Sequence, residues 1–187
     1  MTRLGLNAPN LITLSRLLSV PLMIWLIVGE RFGAAFGVFV GAGISDALDG
    51  FIAKRFDCRT PLGALLDPAA DKALIGSVYV SLGLADKLPD WLVILVVFRD
   101  VMIIGGYVLI QTALSSPGKF DPLYISKINT AAQISLVAYV LARLGLGFPD
   151  GEVTPVLVWL VALTTVLSGL SYLVRWARIL SGAEQPT

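Results

Sequence analysis

Apolar stretches long enough to cross a bilayer follow one another along almost the whole chain, separated by short polar segments. A transmembrane helix needs roughly 20 mostly apolar residues to span about 30 Å of hydrocarbon. The stretches that meet this requirement are Leu11–Val28, Phe32–Ala53, Gly63–Leu84, Trp91–Leu114, Ile125–Leu146 and Val153–Leu173. The pattern therefore predicts an all-α integral membrane protein with six transmembrane helices.

These spans occupy most of the 187 residues, and no remaining segment is large enough for a second soluble domain. The chain is therefore expected to form a single membrane domain over residues 1–187, built as one helical bundle. A short polar start covers residues 1–10, the spans lie between about 11 and 173, and a flexible tail is expected over about 181–187.

Basic residues are distributed unevenly between the two sets of predicted loops. The termini and the second and fourth loops carry Arg3, Lys54, Arg55, Arg59, Lys119, Lys127, Arg175 and Arg178, whereas the other loops carry Arg31, Lys87 and Arg143. Because cytoplasmic loops are the basic ones, both termini are predicted to be cytoplasmic. No Arg-rich, acid-poor transit segment precedes the first span, so a bacterial cytoplasmic membrane is expected rather than an organelle.

The composition narrows the available chemistry. Lys and Arg number 14 and Asp and Glu 13, so no general basic surface indicates a nucleic acid partner. The chain has no His and one Cys, which excludes imidazole metal ligands, Ser/His or Cys/His nucleophile pairs and an internal disulfide. Any catalysis must therefore depend on carboxylates, hydroxyls, Lys, Arg and metal ions.

Acidic residues lie inside the second and third apolar stretches, where they are unexpected. A charge at bilayer depth costs a few kcal/mol or more, so such residues normally face a bundle interior or a watery cavity. In a helix, the acids of each stretch share one face with small residues, which allow a helix or a ligand to approach closely. The two faces consist of Asp46, Asp49, Gly50 and Ala53 on one helix and Gly63, Asp67, Ala70 and Asp71 on the other.

Four neighbouring carboxylates require protons, cationic partners or bound metal. Ion pairing is possible with nearby basic residues, namely Lys54, Arg55, Arg59 and Lys72. Divalent cations with oxygen ligands explain the pattern better, since two such ions would balance four carboxylates and a phosphate-bearing substrate would complete their coordination. A cation or proton carrier and a purely structural polar network remain alternatives.

The run Asp46–Lys54, followed by Gly63, Asp67 and Asp71, resembles the signature of the CDP-alcohol phosphotransferase family. That signature has two Asp three apart, then Gly, Ala and Arg at fixed steps, then Gly and two Asp four apart. Lys54 stands where the family usually has Arg, and Arg55 follows it. Three further segments also agree with the family, the last two being most like its CMP-forming cardiolipin synthases: Pro9–Arg16, Phe98–Met102 and Ile125–Gln133.

The resemblance implies an enzyme that transfers a phosphatidyl group from CDP-diacylglycerol to phosphatidylglycerol, releasing CMP and forming cardiolipin at the cytoplasmic side. The alternative acceptor is glycerol 3-phosphate, which gives phosphatidylglycerophosphate. The family precedent implies two Mg²⁺ or Mn²⁺ ions on Asp46, Asp49, Asp67 and Asp71, with Asp71 also the general base. The implied CDP-lipid-binding residues are Asp49, Gly50, Ala53, Lys54, Arg55 and Gly63. A homodimer is also suggested, with Gly105 and Gly106 allowing close packing.

An acceptor that carries a phosphate needs a pocket with basic and polar groups. The candidate acceptor-binding residues are Asn10, Thr13, Arg16, Arg99, Lys127, Asn129 and Arg175. Each of the central candidates also has a structural interpretation. Arg99 can pair with Asp100, Lys127 can anchor the chain at the interface, and Asn129 can join helices by hydrogen bonds.

Overall fold

The computed structural model describes residues 8–56, 61–113 and 123–181, with side chains described at positions 17–45, 72–110, 123–179 and 181. Within these ranges the backbone forms α-helices and no strand, as the sequence predicts. The helices are α1 (Ala8–Val28), α2 (Phe32–Phe56), α3 (Pro61–Leu84), α4 (Asp90–Ala113), α5 (Tyr124–Leu146) and α6 (Val153–Leu180). The expected flexible tail over 181–187 lies outside the described residues apart from Ser181.

The helix bounds follow the predicted spans closely, and the differences include an earlier start of α1, at Ala8 instead of Leu11, and later ends of α2 and α6. The latter two helices extend to Phe56 and Leu180, beyond the predicted ends at Ala53 and Leu173. The predicted ends mark where apolar composition stops, but polar side chains do not interrupt backbone hydrogen bonding. Helix α6 ends at Leu180 and is followed by the C-cap residue Ser181, whose backbone φ is −80° and ψ is 0°.

Among the described residues, three helices are long and apolar enough to cross a membrane. They are the stretches Asp90–Ile110, Tyr124–Leu146 and Val153–Ile179. Shorter apolar stretches occupy Leu17–Val28, Phe32–Ser45 and Lys72–Leu84 in the other helices. The composition of the helices therefore fits a membrane protein.

The chain divides into two compact units. The first unit comprises Met1–Leu88 and Val137–Pro149, and the second comprises Pro89–Leu136 and Asp150–Thr187. Helix α5 therefore contributes its first part to the second unit and its last part to the first. The single bundle over residues 1–187 stays a prediction.

In the first unit, α1 packs against α2 and α3. Its core contains Met23 and Ile27 from α1 and Tyr79 and Leu82 from α3, all 0% exposed. The connection between α1 and α2 is a tight turn in which Glu30 adopts a positive φ of 55°. Because this connection is so short, α1 and α2 must run in opposite directions.

In the second unit, α4 packs along α6. Contacts occur at successive heights along the two helices: Trp91 with Trp159, Arg99 with Ser168, and Gly106 with Trp176. The contacts follow the same order in both helices, so α4 and α6 run parallel. This arrangement places the middle of α4 beside the middle of α6.

Candidate functional site

The acidic motif lies on regular helix in both halves. Asp46 and Asp49 belong to the last turns of α2, and Asp67 and Asp71 belong to the first turns of α3. Residues three or four apart in a helix lie on one face, so each pair of acids shares a face, as the sequence predicts. The side chains of these four residues lie outside the described ones.

The topology brings three motif-bearing segments to one end of the first unit. Helices α1 and α2 are adjacent and antiparallel, so the start of α1 and the end of α2 share an end. From Phe56 to Pro61 the chain has five Cα steps, which limits their separation to about 19 Å. Since α1 also packs against α3, the start of α3 belongs to the same end. We call this region the acidic end.

Most of the predicted functional residues belong to the acidic end. Those on the described helical backbone of α1, α2 and α3 are Asn10, Thr13, Arg16, Asp46, Asp49, Gly50, Ala53, Lys54, Arg55, Gly63, Asp67 and Asp71. The conformations of their side chains lie outside the described part of the structure. Four carboxylates on two successive helices are a suitable donor set for Mg²⁺ or Mn²⁺, which prefer oxygen ligands.

A second concentration of polar groups occurs in the second unit, around Arg99 of α4. Arg99 lies in the middle of an apolar helix and is only 2% exposed although its side chain is charged. Its Nη1 donates to Asp100 Oδ1 at 2.7 Å. Its Nη2 donates to Ser126 Oγ of α5 and to Ser168 Oγ of α6, each at 2.5 Å. The guanidinium group therefore connects three helices.

Asn129 lies one turn after Ser126 on α5 and forms the next polar layer. It is 0% exposed. Its Oδ1 accepts a hydrogen bond from Thr165 Oγ1 at 2.8 Å and lies 2.9 Å from Thr164 Oγ1. The structural interpretation of Asn129, that it joins two helices, is therefore observed. We call Arg99, Asp100, Ser126, Asn129, Thr164, Thr165 and Ser168 the buried polar cluster.

The other predicted acceptor-binding residues of the second unit lie in different surroundings. Lys127 is exposed, whereas Arg175 is half-buried on α6. Arg99 pairs with Asp100, which is the structural alternative that the sequence left open. Arg99 and Asn129 thus both belong to the buried polar cluster. Among the described residues, no hydrogen bond joins Lys127 to this cluster.

Sequence reasoning did not single out the hydroxyl partners of this cluster. Ser126 and Ser168 lie far from Arg99 along the chain, and only packing brings them together. A signal was nevertheless available in α6, where Thr164, Thr165 and Ser168 recur at helical spacing within an apolar stretch. Such a stripe indicates a polar face directed at other helices.

Comparison with known proteins assigns the chain to a family. Residues 6–167 match the family model for CDP-alcohol phosphatidyltransferase. A chloroplastic CDP-diacylglycerol–glycerol-3-phosphate 3-phosphatidyltransferase 1 of Oryza sativa subsp. japonica is 38% identical over 193 residues, covering 93% of this chain and 58% of the rice protein. A cardiolipin synthase (CMP-forming) of Homo sapiens is 39% identical over 180 residues, covering 88% of this chain and 60% of the human protein.

A shorter relative matches over more of its own length. A probable phosphatidylglycerophosphate synthase of Mycobacterium tuberculosis is 31% identical over 185 residues, covering 96% of this chain and 86% of the mycobacterial protein. By contrast, the chain spans about three fifths of the length of the rice and human proteins. The family match covers most of the present sequence and includes the whole acidic motif. The chain therefore belongs to the CDP-alcohol phosphatidyltransferase family, as its acidic motif predicts.

Proposed function

We propose that the protein transfers a phosphatidyl group from CDP-diacylglycerol to the hydroxyl of phosphatidylglycerol, releasing CMP and forming cardiolipin. The observation that carries this proposal is the placement of the family's acidic motif on two successive helices, α2 and α3, each of which packs against α1 in the first unit. The name of the human relative, cardiolipin synthase (CMP-forming), supports this choice of acceptor. The segments Phe98–Met102 and Ile125–Gln133 support it independently.

At the acidic end, Asp46, Asp49, Asp67 and Asp71 are proposed to hold two Mg²⁺ or Mn²⁺ ions. When bound, these ions would neutralise the diphosphate of the CDP-lipid and stabilise the departing CMP. The CDP-lipid itself is assigned to a set of residues that combines acidic, small and basic side chains: Asp49, Gly50, Ala53, Lys54, Arg55 and Gly63. The small residues leave space beside the helix backbone, and the two basic residues offset phosphate charge.

Asp71 is proposed as the general base. Its carboxylate accepts the proton of the acceptor hydroxyl, whose oxygen then attacks the phosphorus of the phosphatidyl group. The bond between that phosphorus and the oxygen leading to CMP breaks, and CMP departs with the bonding electrons. Positioning of the acceptor is assigned to Asn10, Thr13 and Arg16 of α1 and to Arg99, Lys127, Asn129 and Arg175 of the later helices.

Glycerol 3-phosphate is the alternative acceptor, and specific observations favour it. The rice and mycobacterial relatives carry names that refer to glycerol-3-phosphate phosphatidyl transfer and to phosphatidylglycerophosphate synthesis. The chemistry at phosphorus is the same for both acceptors, because each offers a hydroxyl to the same CDP-lipid. The two acceptors differ in charge and size, so the choice depends on the acceptor-binding residues.

The proposed setting is a bacterial cytoplasmic membrane, crossed by six helices with both termini and the active site at the cytoplasmic side. The three long apolar helices support membrane insertion, and the distribution of basic residues supports the orientation. A homodimer is proposed from the family resemblance. Gly106, however, packs against Trp176 of its own chain, so Gly105 is the member of the pair with open space beside it.

The function is tested with purified protein in detergent micelles containing CDP-diacylglycerol and Mg²⁺. One reaction receives phosphatidylglycerol, a second receives glycerol 3-phosphate, and a third receives no acceptor. We expect CMP release and cardiolipin in the first reaction, measured by chromatography and mass spectrometry of the lipids. Phosphatidylglycerophosphate in the second reaction, without cardiolipin in the first, would establish the alternative acceptor. CMP release only without acceptor, or no CMP in any reaction, would contradict both assignments.

A further inference from the structure

Within the described part of the chain, the hydrogen bonds of Arg99 leave its Nε–H group without a partner. Both N–H groups of Nη2 are directed to hydroxyls, those of Ser126 and Ser168, and Nη1 donates to Asp100. The Nε–H group is buried and has no hydrogen-bond acceptor among the described residues. Buried donors normally have partners, because an unsatisfied N–H loses its interaction with water without replacement.

We propose that Ser126 and Ser168 are positioning residues that hold the guanidinium group of Arg99 so that its Nε–H binds a phosphodiester oxygen of the acceptor lipid. This proposal rests on the proposed function and specifies how the acceptor is held. Neither serine is expected to contact the reacting atoms. Their role is to fix the plane of the guanidinium group.

The geometry of arginine explains why two hydroxyls are needed. The guanidinium group is planar, and its five N–H groups form a rigid fork. Ser126 approaches from α5 and Ser168 from α6, so Nη2 is fixed by two different helices. Once Nη2 and the plane are fixed, the direction of Nε–H is fixed as well. Without the hydroxyls, only the Asp100 contact at Nη1 restrains the guanidinium group, and the direction of Nε–H is less well fixed.

Asp100 limits how strongly Arg99 can attract an anion such as the phosphodiester. Its carboxylate pairs with Nη1 at 2.7 Å, and the two side chains are 3% and 13% exposed. The pair reduces the penalty of burying an isolated charge within an apolar helix. It also offsets the positive charge of Arg99, so the contact with a phosphodiester relies on a directed hydrogen bond more than on net attraction.

A second unused donor supports a ligand that offers more than one acceptor oxygen. Asn129 Nδ2 is buried and has no hydrogen-bond acceptor among the described residues. The threonine hydroxyls at Oδ1 fix the orientation of the amide, so Nδ2 is presented as a donor. Asn129 lies three residues after Ser126, which holds Arg99, so the two polar layers are about 4.5 Å apart along the axis of α5. A phosphodiester, with two free oxygens, matches this pair of donors better than a single hydroxyl does.

The test compares alanine variants of the positioning serines with alanine variants of serines on the same helices. Ser126→Ala, Ser168→Ala and the double variant remove the two hydroxyls from Arg99. Matched controls are Ser135→Ala on α5 and Ser171→Ala on α6. Both control hydroxyls are exposed and donate to carbonyl oxygens of their own helices, at 2.8 Å and 2.7 Å.

Steady-state kinetics with phosphatidylglycerol and CDP-diacylglycerol as varied substrates supply the readout. We expect the double variant to raise KM for phosphatidylglycerol about tenfold, equivalent to about 1.4 kcal/mol, with little change in KM for CDP-diacylglycerol. Each single variant should give a smaller increase, and both controls should match the parent protein. Ser168→Thr, which keeps a hydroxyl, should restore most of the acceptor affinity lost in Ser168→Ala.

An unchanged KM for phosphatidylglycerol in the double variant would overturn the inference, even if thermal stability fell. If the double variant does not fold, the KM for phosphatidylglycerol is measured for Arg99→Lys instead. Lysine keeps a positive charge but lacks the fixed Nε–H, so this KM should rise. An Arg99→Lys protein with unchanged acceptor KM would also overturn the inference. Failure of the proposed function is distinguishable, since the parent protein would then produce no cardiolipin at all.

Discussion

The acidic end and the buried polar cluster are two ways of placing charge in apolar helices. The acidic end has four carboxylates of one sign on two successive helices, whereas the buried polar cluster pairs one cation with one anion and surrounds them with hydroxyls. Like charges cannot satisfy one another and require cations from outside the chain. Opposite charges with hydrogen-bonding neighbours satisfy one another within the chain. The first region is therefore expected to serve chemistry and the second to serve architecture and acceptor positioning.

Removal of divalent metal provides the largest expected effect. If the acidic end depends on two bound ions, exhaustive chelation should reduce CMP release from CDP-diacylglycerol to background. Readdition of Mg²⁺ or Mn²⁺ should restore it, because both ions accept oxygen ligands. Circular dichroism after chelation should still show the helical content of the parent protein, since the buried polar cluster needs no metal. Full turnover after chelation would contradict the metal assignment at the acidic end.

Asp71→Asn should have the next largest effect. General base catalysis contributes roughly 10² to 10⁴ in rate, so kcat for CMP release should fall by a factor in that range. The binding of CDP-diacylglycerol should persist, because the other three aspartates remain. Measurement of kcat and of CDP-lipid binding by the same protein separates these effects.

The matched control for this prediction is Asp86→Asn. Asp86 is exposed in the turn after α3 and has a positive φ of 56°, a conformation that Asn tolerates well. The control should retain the parent kcat. Equal turnover by Asp71→Asn and Asp86→Asn would contradict the general-base role of Asp71.

The substitution Asp100→Asn tests the buried polar cluster, and its main expected effect is a loss of stability. The substitution leaves Arg99 as a buried charge without its paired carboxylate, and removal of one partner of such a pair typically costs about 3 to 5 kcal/mol. The midpoint of thermal unfolding in detergent should therefore fall clearly below that of the parent. Asp71→Asn should not lower the midpoint, because it removes one of four like charges. If Asp71→Asn destabilised the protein more than Asp100→Asn did, the acidic end and not the buried polar cluster would be the region on which stability depends.

The sequence predicts the helices and the family well, because both depend on local pattern. Apolar runs define the spans, and the spacing of Asp46, Asp49, Asp67 and Asp71 is read directly along the chain. The apolar pattern predicts ends of α2 and α6 that are too early, because hydropathy reports on composition. Backbone hydrogen bonding continues past the last apolar residue and defines the helix itself.

The buried polar cluster was only partly predictable. Arg99 and Asn129 are conspicuous as polar residues in apolar stretches. Their partners Ser126, Ser168 and Thr165 are set by how α4, α5 and α6 pack. The stripe of hydroxyl residues on α6 predicts a polar face, but the sequence does not indicate which residue each hydroxyl contacts. Close helix contacts at glycine are equally hard to predict from the sequence. They depend on which residue of the neighbouring helix lies opposite the glycine, and not on the spacing of glycines along the chain.

Gly145→Ala should give the next effect in size, through packing in the first unit. A Cβ atom at Gly145 would lie 2.5 Å from the Cα atom of Gly33, so α2 and the end of α5 would have to move apart. Because the neighbour is backbone and cannot rotate away, we expect a loss of about 1 to 3 kcal/mol in unfolding free energy. The control Gly37→Ala meets no atom within 4 Å and should be neutral or slightly stabilising. Equal midpoints for the two variants would contradict this contact.

Gly106→Ala tests the corresponding contact in the second unit, where the expected effect is smallest. A Cβ atom at Gly106 would overlap the ring of Trp176, but a side chain on one face can shift where backbone cannot. The loss of unfolding free energy should therefore be about 1 kcal/mol, at the lower end of the range for overpacking. Trp176 fluorescence should change because its ring, 5.9 Å from that of Tyr172, must move. The adjacent control Gly105→Ala has no atom within 4 Å and should alter neither stability nor fluorescence. A greater loss in Gly106→Ala than in Gly145→Ala would mean that the Trp176 ring is held as rigidly as backbone, and that α4 and α6 form the tighter of the two contacts.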